Sequence, residues 1–413
     1  MPFHARIRCE LPPTAGLPLR PSDLIKTPSR SFTHGLSDVF GLPSPILACS
    51  GTAAMVIALR TFHERERART EVIVPAYTCP LVPLAVKLVP GLAVIPCDML
   101  PNGIDLDPDM LASLCGPKTL AIVPTHLGGR VADTATAKAI AASHRAAVLE
   151  DAAQALGAVN GGQSVGLAGD AGFFSLAAGK GLTTYEGGIL CATDPELYAD
   201  LEATASHMLG SNPYWTIRRN LELFGYIALY TPHCLNLTYG RNLRRMLDKG
   251  NEEAAVGDYF TLANIPLHSL DRFRQRVAAN ALERLPKFLA NSAVRAEKRL
   301  ETLQEIKGVS VITDKTNRAN DRGVWPFLMV LMPGREQRDK ALARLWRAGL
   351  GVTKLFVRAL PDYRFLTFCF EKEPVACPNA RDLADRMLTI SNSHWLDDRD
   401  FACIVAVLKE SLL

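Results

Sequence analysis

One lysine, Lys180, stands in a glycine-rich stretch that reads GDAGFFSLAAGKGLTTYEGG over residues 169–188. Most lysines lie on solvated surfaces, so a lysine between two glycines and just after an apolar run is unusual. A tight apolar turn keeps water from the ammonium group, which lowers its pKa. A neutral lysine amine is the form that adds to a carbonyl group as a Schiff base. A surface turn with an incidental lysine is the alternative interpretation.

Two carboxylates, Glu150 and Asp151, follow a short apolar run at the start of EDAAQALGA. Carboxylates directly after a buried strand are costly unless they have a partner. One of them is able to bind a protonated ring nitrogen, as a pyridoxal cofactor requires. Gln154 is close enough along the chain to reach a neighbouring group of that ring. The alternative is that Asp151 only caps a helix.

Three further short motifs suit a phosphate or an aromatic ring. In SGTAA, residues 50–54, small side chains leave backbone N–H groups open at a helix N-terminus, which favours a phosphate, although a serine cap with a glycine turn explains the motif too. In PAYTCP, residues 75–80, Tyr77 is either a ring-stacking residue or a core tyrosine. In PTHLGG, residues 124–129, His126 either faces a ligand or is a structural histidine.

The elements that must position these residues follow from an alternation of apolar runs and helical segments. Strands are predicted at 46–49, 72–75, 93–96, 120–124, 147–149, 171–176 and 189–192, and helices at 51–65, 79–89, 107–115 and 133–145. This alternation predicts an α/β fold with a mostly parallel sheet that is covered on both faces. Ligands of such sheets bind at the carboxyl ends of the strands, which is where the motifs lie.

The rest of the chain divides into an arm, an atypical central segment and a second unit. Residues 1–30, rich in Pro and Arg, read as an extended arm before a large domain at 31–208. Residues 209–270 form an aromatic and basic insertion, and residues 271–413 a connector helix with a smaller C-terminal α/β domain. The insertion has the character of a segment that lies on a membrane surface, but packing at a dimer interface or over the active site is favoured.

Composition limits the class of protein. The 413 residues carry a net charge of +4 without a long basic run, which gives no case for nucleic-acid binding. Ten scattered cysteines show no CxxC pair and no zinc spacing, so we expect reduced thiols and no metal site. The sequence has neither a signal-peptide pattern nor an apolar run of spanning length. We therefore expect a cytoplasmic location.

In their order along the chain, five motifs resemble those of one family, the DegT/DnrJ/EryC1/StrS family of PLP-dependent aminotransferases, the sugar aminotransferase branch of fold type I. The motifs are SGTAA, VPAYT, HLGG, EDAAQALGA and FFSLAAGKGLTTYEGG. The resemblance covers roughly residues 47–194 and, more loosely, the C-terminal part. It implies that pyridoxal 5'-phosphate (PLP) is the cofactor and that glutamate or glutamine donates an amino group to a nucleotide-linked keto-sugar. It also implies a homodimer whose active site forms between two subunits.

The resemblance implies a role for individual residues. Lys180 would bind PLP as a Schiff base, Asp151 would pair with the pyridine nitrogen, and Gln154 would lie near the ring hydroxyl. The predicted phosphate group comprises Ser175, Gly51, Thr52 and Ala53. The predicted substrate contacts are His126, Tyr185 and Glu186.

The chain departs from the family pattern at several places, one of which is the pair Ala177-Ala178 before the lysine turn, where the family commonly has bulkier residues. Cys79 stands where the family usually has an aromatic residue that stacks on the cofactor ring, which leaves Cys79 or Tyr77 for that face. No convincing copy of the family's Gly-x-Asn-x-Arg-like segment, which reaches the partner subunit's phosphate, occurs near residues 264–273. Residues 355–358 stand where a substrate-binding histidine of the small domain is expected.

Two rival functions stay open at this point. One is another PLP reaction on the same fold, such as dehydration or epimerisation. Some dehydrating relatives carry histidine in place of the lysine, so Lys180 argues against that variant. The other rival is a non-catalytic partner protein that keeps the fold.

Overall fold

Two β-sheets joined by long helices form the framework of the protein. The computed structural model describes residues 9–262, 265–314, 320–370 and 376–413. The strands are β1 Ile46–Ala48, β2 Glu71–Pro75, β3 Ala93–Cys97, β4 Thr119–Ile122, β5 Ala147–Asp151, β6 Val159–Asn160, β7 Gln163–Ser164, β8 Ala171–Ser175, β9 Gly188–Ala192, β10 Ser310–Val311, β11 Phe327–Leu331, β12 Val352–Thr353 and β13 Met387–Ser391. The helices are α1 Pro21–Ile25, α2 Phe32–Phe40, α3 Gly51–Arg65, α4 Leu81–Lys87, α5 Pro108–Leu114, α6 Thr134–His144, α7 Pro195–Met208, α8 Pro213–Leu229, α9 Pro232–Leu235, α10 Arg241–Asp248, α11 Glu252–Val256, α12 Arg272–Leu282, α13 Leu285–Gln304, α14 Arg335–Leu345, α15 Pro378–Arg386 and α16 Asp398–Glu410.

The larger sheet has the strand order β1-β9-β8-β5-β4-β2-β3. Strand β9 is antiparallel to its neighbours β8 and β1, and the pairings among β8, β5, β4, β2 and β3 are parallel. The predicted α/β fold with a mostly parallel sheet is confirmed. The predicted strands and helices of this region are all present, with ends that differ by at most two residues.

Helix α3 shows why the motifs meet at one edge of this sheet. Residues 53–59 of the helix are all buried, because they are apolar on every side and pack beneath the strands. Its N-terminus follows directly on β1, and the Ser50 hydroxyl caps it by accepting a hydrogen bond from the Ala53 N–H at 3.0 Å. The start of α3 therefore lies at the end of the sheet.

The smaller sheet has the order β10-β11-β13-β12 and is antiparallel throughout. The predicted connector helix is two helices, α12 and α13. Pro286 lies in the first turn of α13, where its missing N–H costs nothing, whereas it could not continue α12.

The central segment touches both sheets. Leu243 of α10 and Ala255 of α11 pack into the core of the smaller sheet. Phe260 and Leu262, a few residues later, pack against the core of the larger sheet. Among the described residues, no helix combines the length and the apolar character that crossing a membrane requires.

Candidate active site

A cavity of about 200 Å³ lies at the carboxyl ends of the parallel strands, beside the N-terminus of α3. Phe356, from the loop after β12, forms its wall on the side of the smaller sheet. Eight predicted site residues line this cavity: Gly51, Thr52, Cys79, His126, Asp151, Gln154, Ser175 and Lys180. A larger surface groove of about 810 Å³ beside α2 and α13 contains none of them. The strand ends thus assemble most of the predicted residues at one place.

Lys180 lies on a tight turn between Gly179 and Gly181. The turn is closed by a hydrogen bond from the Lys180 N–H to the Ala177 carbonyl at 3.1 Å, and Gly179 has a φ of +83°. Burial lowers the pKa of the Lys180 amine, and the neighbouring Cys79 and Asp151 partly oppose this shift. The turn therefore favours the neutral amine more than water does.

Residues of the N-terminal arm bind and pack against this turn. The Leu17 N–H donates to the Gly181 carbonyl at 2.9 Å, and a Cβ on Gly16 would come within 2.6 Å of the Lys180 carbonyl oxygen. Only glycine permits that approach. Nothing in the sequence pattern of the arm indicates this contact, because its partner is more than 150 residues away.

Asp151 and Gln154 line the same cavity as Lys180. Asp151 ends β5 and is 5% exposed, and one of its oxygens accepts a hydrogen bond from the Ala153 N–H at 3.0 Å. Burial raises the pKa of Asp151, while that hydrogen bond and the nearby Lys180 and His126 lower it. The Gln154 Oε1 atom accepts from the Gly128 N–H at 2.7 Å, so its amide nitrogen remains for another partner.

His126 lines the cavity, but its ring nitrogens serve the protein. The Ala132 N–H donates to Nδ1 at 3.0 Å, so the ring proton is on Nε2 and is donated to Glu150 at 2.9 Å. Burial opposes the charge of Glu150, yet the His126 contact and the Gly169 N–H hold the pKa of its carboxyl below the usual value. Neither ring nitrogen is therefore left for a ligand.

The start of α3 and the end of β8 form a small cradle. A Cβ on Gly51 would lie 3.2 Å from the Ser175 Cβ and 3.3 Å from the Phe174 carbonyl, so glycine allows these elements to approach closely. The N–H groups of the first turn of a helix have no partners within the helix, and the helix dipole attracts an anion there. The Ala53 N–H donates to the Ser50 hydroxyl, and of the predicted phosphate group Gly51, Thr52 and Ser175 line the cavity.

Two threonines that the sequence analysis did not single out also line the cavity. The hydroxyls of Thr78 and Thr125 are buried and have no hydrogen-bond partner within the described part of the chain. Leaving such a group unpaired costs about 1–3 kcal/mol, so these hydroxyls indicate a ligand with polar atoms. Their position just beyond the ends of β2 and β4 is the only signal that the sequence offers.

Tyr77 and Cys79, the two candidates for the face of the cofactor ring, lie in different surroundings. Tyr77 is 1% exposed, lies outside the cavity, and donates its hydroxyl to the Phe356 carbonyl at 3.2 Å. The structure therefore favours the interpretation of Tyr77 as a core residue over that of a ring-stacking residue. Cys79 does line the cavity, and burial raises the pKa of its thiol to about 12.

Tyr185 and Glu186 also lie outside the cavity. The ring of Tyr185 packs edge-on against Tyr226 of α8 at 6.0 Å. Glu186 accepts a hydrogen bond from the Trp215 indole at 2.9 Å and pairs with Arg219 at 3.1 Å, both on α8. The two residues connect α8 to the segment that follows the lysine turn. Neither of them lines the cavity as a predicted substrate contact would.

The fold and the site define the class of protein to which this chain belongs. A lysine on a glycine turn and a carboxylate at a strand end, facing one cavity of a mostly parallel sheet, are the features of fold type I, the PLP-dependent transferases. The model of the DegT/DnrJ/EryC1/StrS aminotransferase family matches residues 27–227 and 268–409. The chain belongs to this family.

Similar proteins are named after sugars or cyclitols. The L-glutamine:2-deoxy-scyllo-inosose aminotransferase of Streptomyces kanamyceticus is 34% identical over 180 residues, 43% of this chain and 41% of that protein. The GDP-perosamine synthase of Caulobacter vibrioides is 32% identical over 185 residues, 45% of this chain and 49% of that protein. The matched region spans less than half the length of these relatives.

Solved structures match over nearly the whole chain. The sugar aminotransferase CalS13 from Micromonospora echinospora has a TM-score of 0.71 at 21% identity, covering 97% of this chain and 100% of that one. DesI, solved in the presence of its TDP-sugar product, has a TM-score of 0.70 at 19% identity, covering 98% and 93% of the two chains. At this identity the likeness shows the fold.

The cavity fits PLP, the cofactor of this family. Its amine suits an aldehyde, its buried carboxylate suits a ring nitrogen, and the cradle of Gly51, Thr52 and Ser175 suits a phosphate. The unpaired hydroxyls of Thr78 and Thr125 give a polar ligand further partners.

Proposed function

We propose that this chain is an aminotransferase that moves an amino group from glutamate or glutamine to a keto substrate, and that the acceptor is a nucleotide-linked keto-sugar. The observation that carries the proposal is the pairing of Lys180 and Asp151 in one cavity, each with the pKa shift that burial imposes. The names of the relatives agree with a glutamine donor and a cyclic keto acceptor.

The residues divide the work of such a reaction. PLP supplies an electron sink for the bond that loses a proton at the substrate carbon. The Lys180 amine, neutral at lower pH than a solvated lysine, would move that proton between the substrate carbon and the cofactor carbon. Asp151 would accept the hydrogen bond of a protonated ring nitrogen, and the N–H groups of Gly51 and Thr52 with the Ser175 hydroxyl would bind the phosphate.

Two rivals remain to be separated by experiment. A non-catalytic protein would take up no PLP, and its spectrum would have no visible band. A PLP enzyme of another reaction type would show the band but would not be converted by an amino donor. A half-reaction screen with glutamate and glutamine, followed by keto-sugar nucleotides and keto-cyclitols, distinguishes all three cases.

We further propose a homodimer whose subunits meet on α8. Of the five exposed apolar side chains of α8, four lie on one face: Tyr214 (75%), Ile217 (62%), Leu221 (65%) and Phe224 (44%). Their spacing is that of the a and d positions of a heptad, which is typical of a helix that packs on another helix. The opposite face of α8 holds Glu186, so a second copy would press α8 onto the lysine turn.

We infer that a second copy of the chain covers these four side chains, which we call the α8 seam, because their pattern along the helix is self-complementary. Read from either end, the four residues follow one another as aromatic, aliphatic, aliphatic, aromatic, with the same spacing. Antiparallel packing across a two-fold axis then sets Tyr214 of one copy against Phe224 of the other, and Ile217 against Leu221. The Arg218 charge beside the seam is balanced by Glu222 on its own helix at 3.0 Å.

A further inference from the structure

Three carboxylates of the central segment bind residues next to Phe356, which forms one wall of the active-site cavity. The Lys354 amine donates to Glu252 at 2.6 Å, and the Arg358 guanidinium donates to Glu253 at 3.0 Å. Between them, the Val357 N–H donates to Asp258 at 2.9 Å. All three carboxylates lie in residues 228–267, which the family model does not match. The residues that they hold flank Phe356, which lines the cavity.

Asp258 is the buried member of the three. It is 4% exposed and also accepts the hydroxyl hydrogen of Tyr363 at 2.6 Å. The Tyr363 oxygen in turn accepts from the N–H groups of Val357 and Arg358 at 3.0 and 3.2 Å. One carboxylate and one phenol thus fix two successive backbone N–H groups beside Phe356.

Tyr77, which follows β2 of the larger sheet, also binds the backbone of Phe356. Its hydroxyl accepts from the Phe356 N–H at 3.3 Å and donates to the Phe356 carbonyl at 3.2 Å. The two rings meet edge-on with centroids 5.7 Å apart. The backbone at 356–358 is therefore fixed by side chains from other parts of the chain rather than by a strand ladder.

The location of Asp258 gives these contacts a consequence. Ala255 is anchored in the core of the smaller sheet, and Phe260 packs against the core of the larger sheet. Asp258 lies between these two anchors and bonds to the loop that closes the cavity. We expect a shift of either core relative to the other to reach Phe356 through this carboxylate.

We propose that Asp258 is a positioning residue, which sets Phe356 against the cavity and so determines how tightly a substrate is held on that side. The hydrogen-bond partners of its carboxylate, Val357 and Tyr363, are not among the predicted cofactor-binding residues, so its loss should change substrate affinity and leave PLP binding intact. The effect on turnover rests on the proposed aminotransferase function, whereas the effect on the loop does not.

Amide hydrogen exchange tests the positioning directly in the purified full-length protein. Asp258→Ala should speed exchange in residues 355–363 by about tenfold, the value expected for a lost hydrogen bond to a charged group, and leave distant peptides unchanged. Asp258→Asn keeps an acceptor oxygen and should speed exchange in the same residues by about threefold. Tyr363→Phe should have an effect of similar size. Asp362→Asn is the matched control, because that carboxylate binds Arg381 on the surface.

The half-reaction supplies the second readout. In Asp258→Ala we expect the apparent KM of the amino donor to rise about tenfold, with the visible PLP band and the rate at saturation close to those of the parent. Unchanged exchange at 355–363, or faster exchange throughout a variant that still folds, would overturn the proposal. If the parent protein binds PLP but converts no donor, the aminotransferase function fails, and the exchange experiment still decides the role of Asp258.

Discussion

At the scale of single residues, the unpaired hydroxyls of Thr78 and Thr125 connect stability with ligand binding. Each hydroxyl is buried without a partner in the described part of the chain. Valine has nearly the same shape and removes the unpaired group, so Thr78→Val and Thr125→Val should each raise the free energy of unfolding of the cofactor-free protein by about 1 kcal/mol. The same changes should weaken PLP binding, because a ligand contact is lost.

Urea unfolding of the cofactor-free protein and PLP titration measure the two effects. Thr61→Val is the matched control, since the Thr61 hydroxyl is buried but already donates to the Ile57 carbonyl at 2.9 Å. That variant should not gain stability and should bind PLP normally. Destabilisation in all three variants would contradict a ligand role for the two hydroxyls.

Asp258 gives the molecule a pH dependence with a defined sign. Burial raises its pKa from 3.8 to about 6, although the Tyr363 and Val357 hydrogen bonds oppose this, and the neighbouring Glu253 adds to it. Folding therefore disfavours the charged form, and the stabilising contribution of Asp258 is complete below pH ~4 and is lost as the pH rises through about 6. Over this pH range the contribution of Asp258 to the free energy of unfolding falls by about 2–3 kcal/mol.

Comparison with Asp258→Asn isolates this titration. The free energy of unfolding of the parent minus that of the variant should fall between pH ~4 and ~6 and level off above pH ~7. Urea unfolding at a series of pH values measures it. A difference that rises over this range would mean that the pKa of Asp258 is lowered in the folded protein.

At the scale of elements, the sequence predicts well where local pattern decides the structure. The strands and helices between residues 46 and 192 follow from apolar runs and periodicity, and the ends of parallel strands then bring Asp151, Ser175 and Lys180 together. Side-chain direction just beyond a strand is not fixed by that pattern. Tyr77 and Cys79 both follow β2, and only packing against Phe356 decides that Tyr77 turns away from the cavity.

Contacts made across long stretches of chain account for the other differences. Asp258 binds Val357, 99 residues away, and the arm binds the lysine turn, so neither contact has a signature in local sequence. The sequence favours a place for the insertion at a dimer interface or over the active site, and its contacts lie beside the cavity wall. Asn264, within the region searched for a phosphate-binding segment of the partner subunit, lies outside the described residues.

At the scale of the whole molecule, the seam on α8 predicts the oligomeric state. Leu221→Glu and Ile217→Lys should each convert the dimer to a monomer, because each places two charges in an apolar interface. Mixing the two variants should restore a dimer, since the lysine introduced at position 217 of one copy would face the glutamate introduced at position 221 of the other. Sedimentation or light scattering measures the change, and Val294→Glu, at an exposed apolar residue of α13, is the control.

The mixing experiment separates the proposed pairing from a general effect on solubility. A dimer that survives both substitutions would place the interface elsewhere on the protein. Monomers that fail to associate on mixing would contradict the antiparallel arrangement, even if α8 lies in the interface.

The central claim is that Lys180 binds PLP in a cavity built for amino-group transfer. The absorption spectrum of the purified protein, recorded before and after addition of glutamate or glutamine, tests it most directly. We predict a visible band that the donor abolishes and a keto acceptor restores, and that is absent in Lys180→Ala but present in the control Lys307→Ala, whose lysine is exposed. A protein that takes up no PLP, or whose band no amino donor changes, would contradict the account.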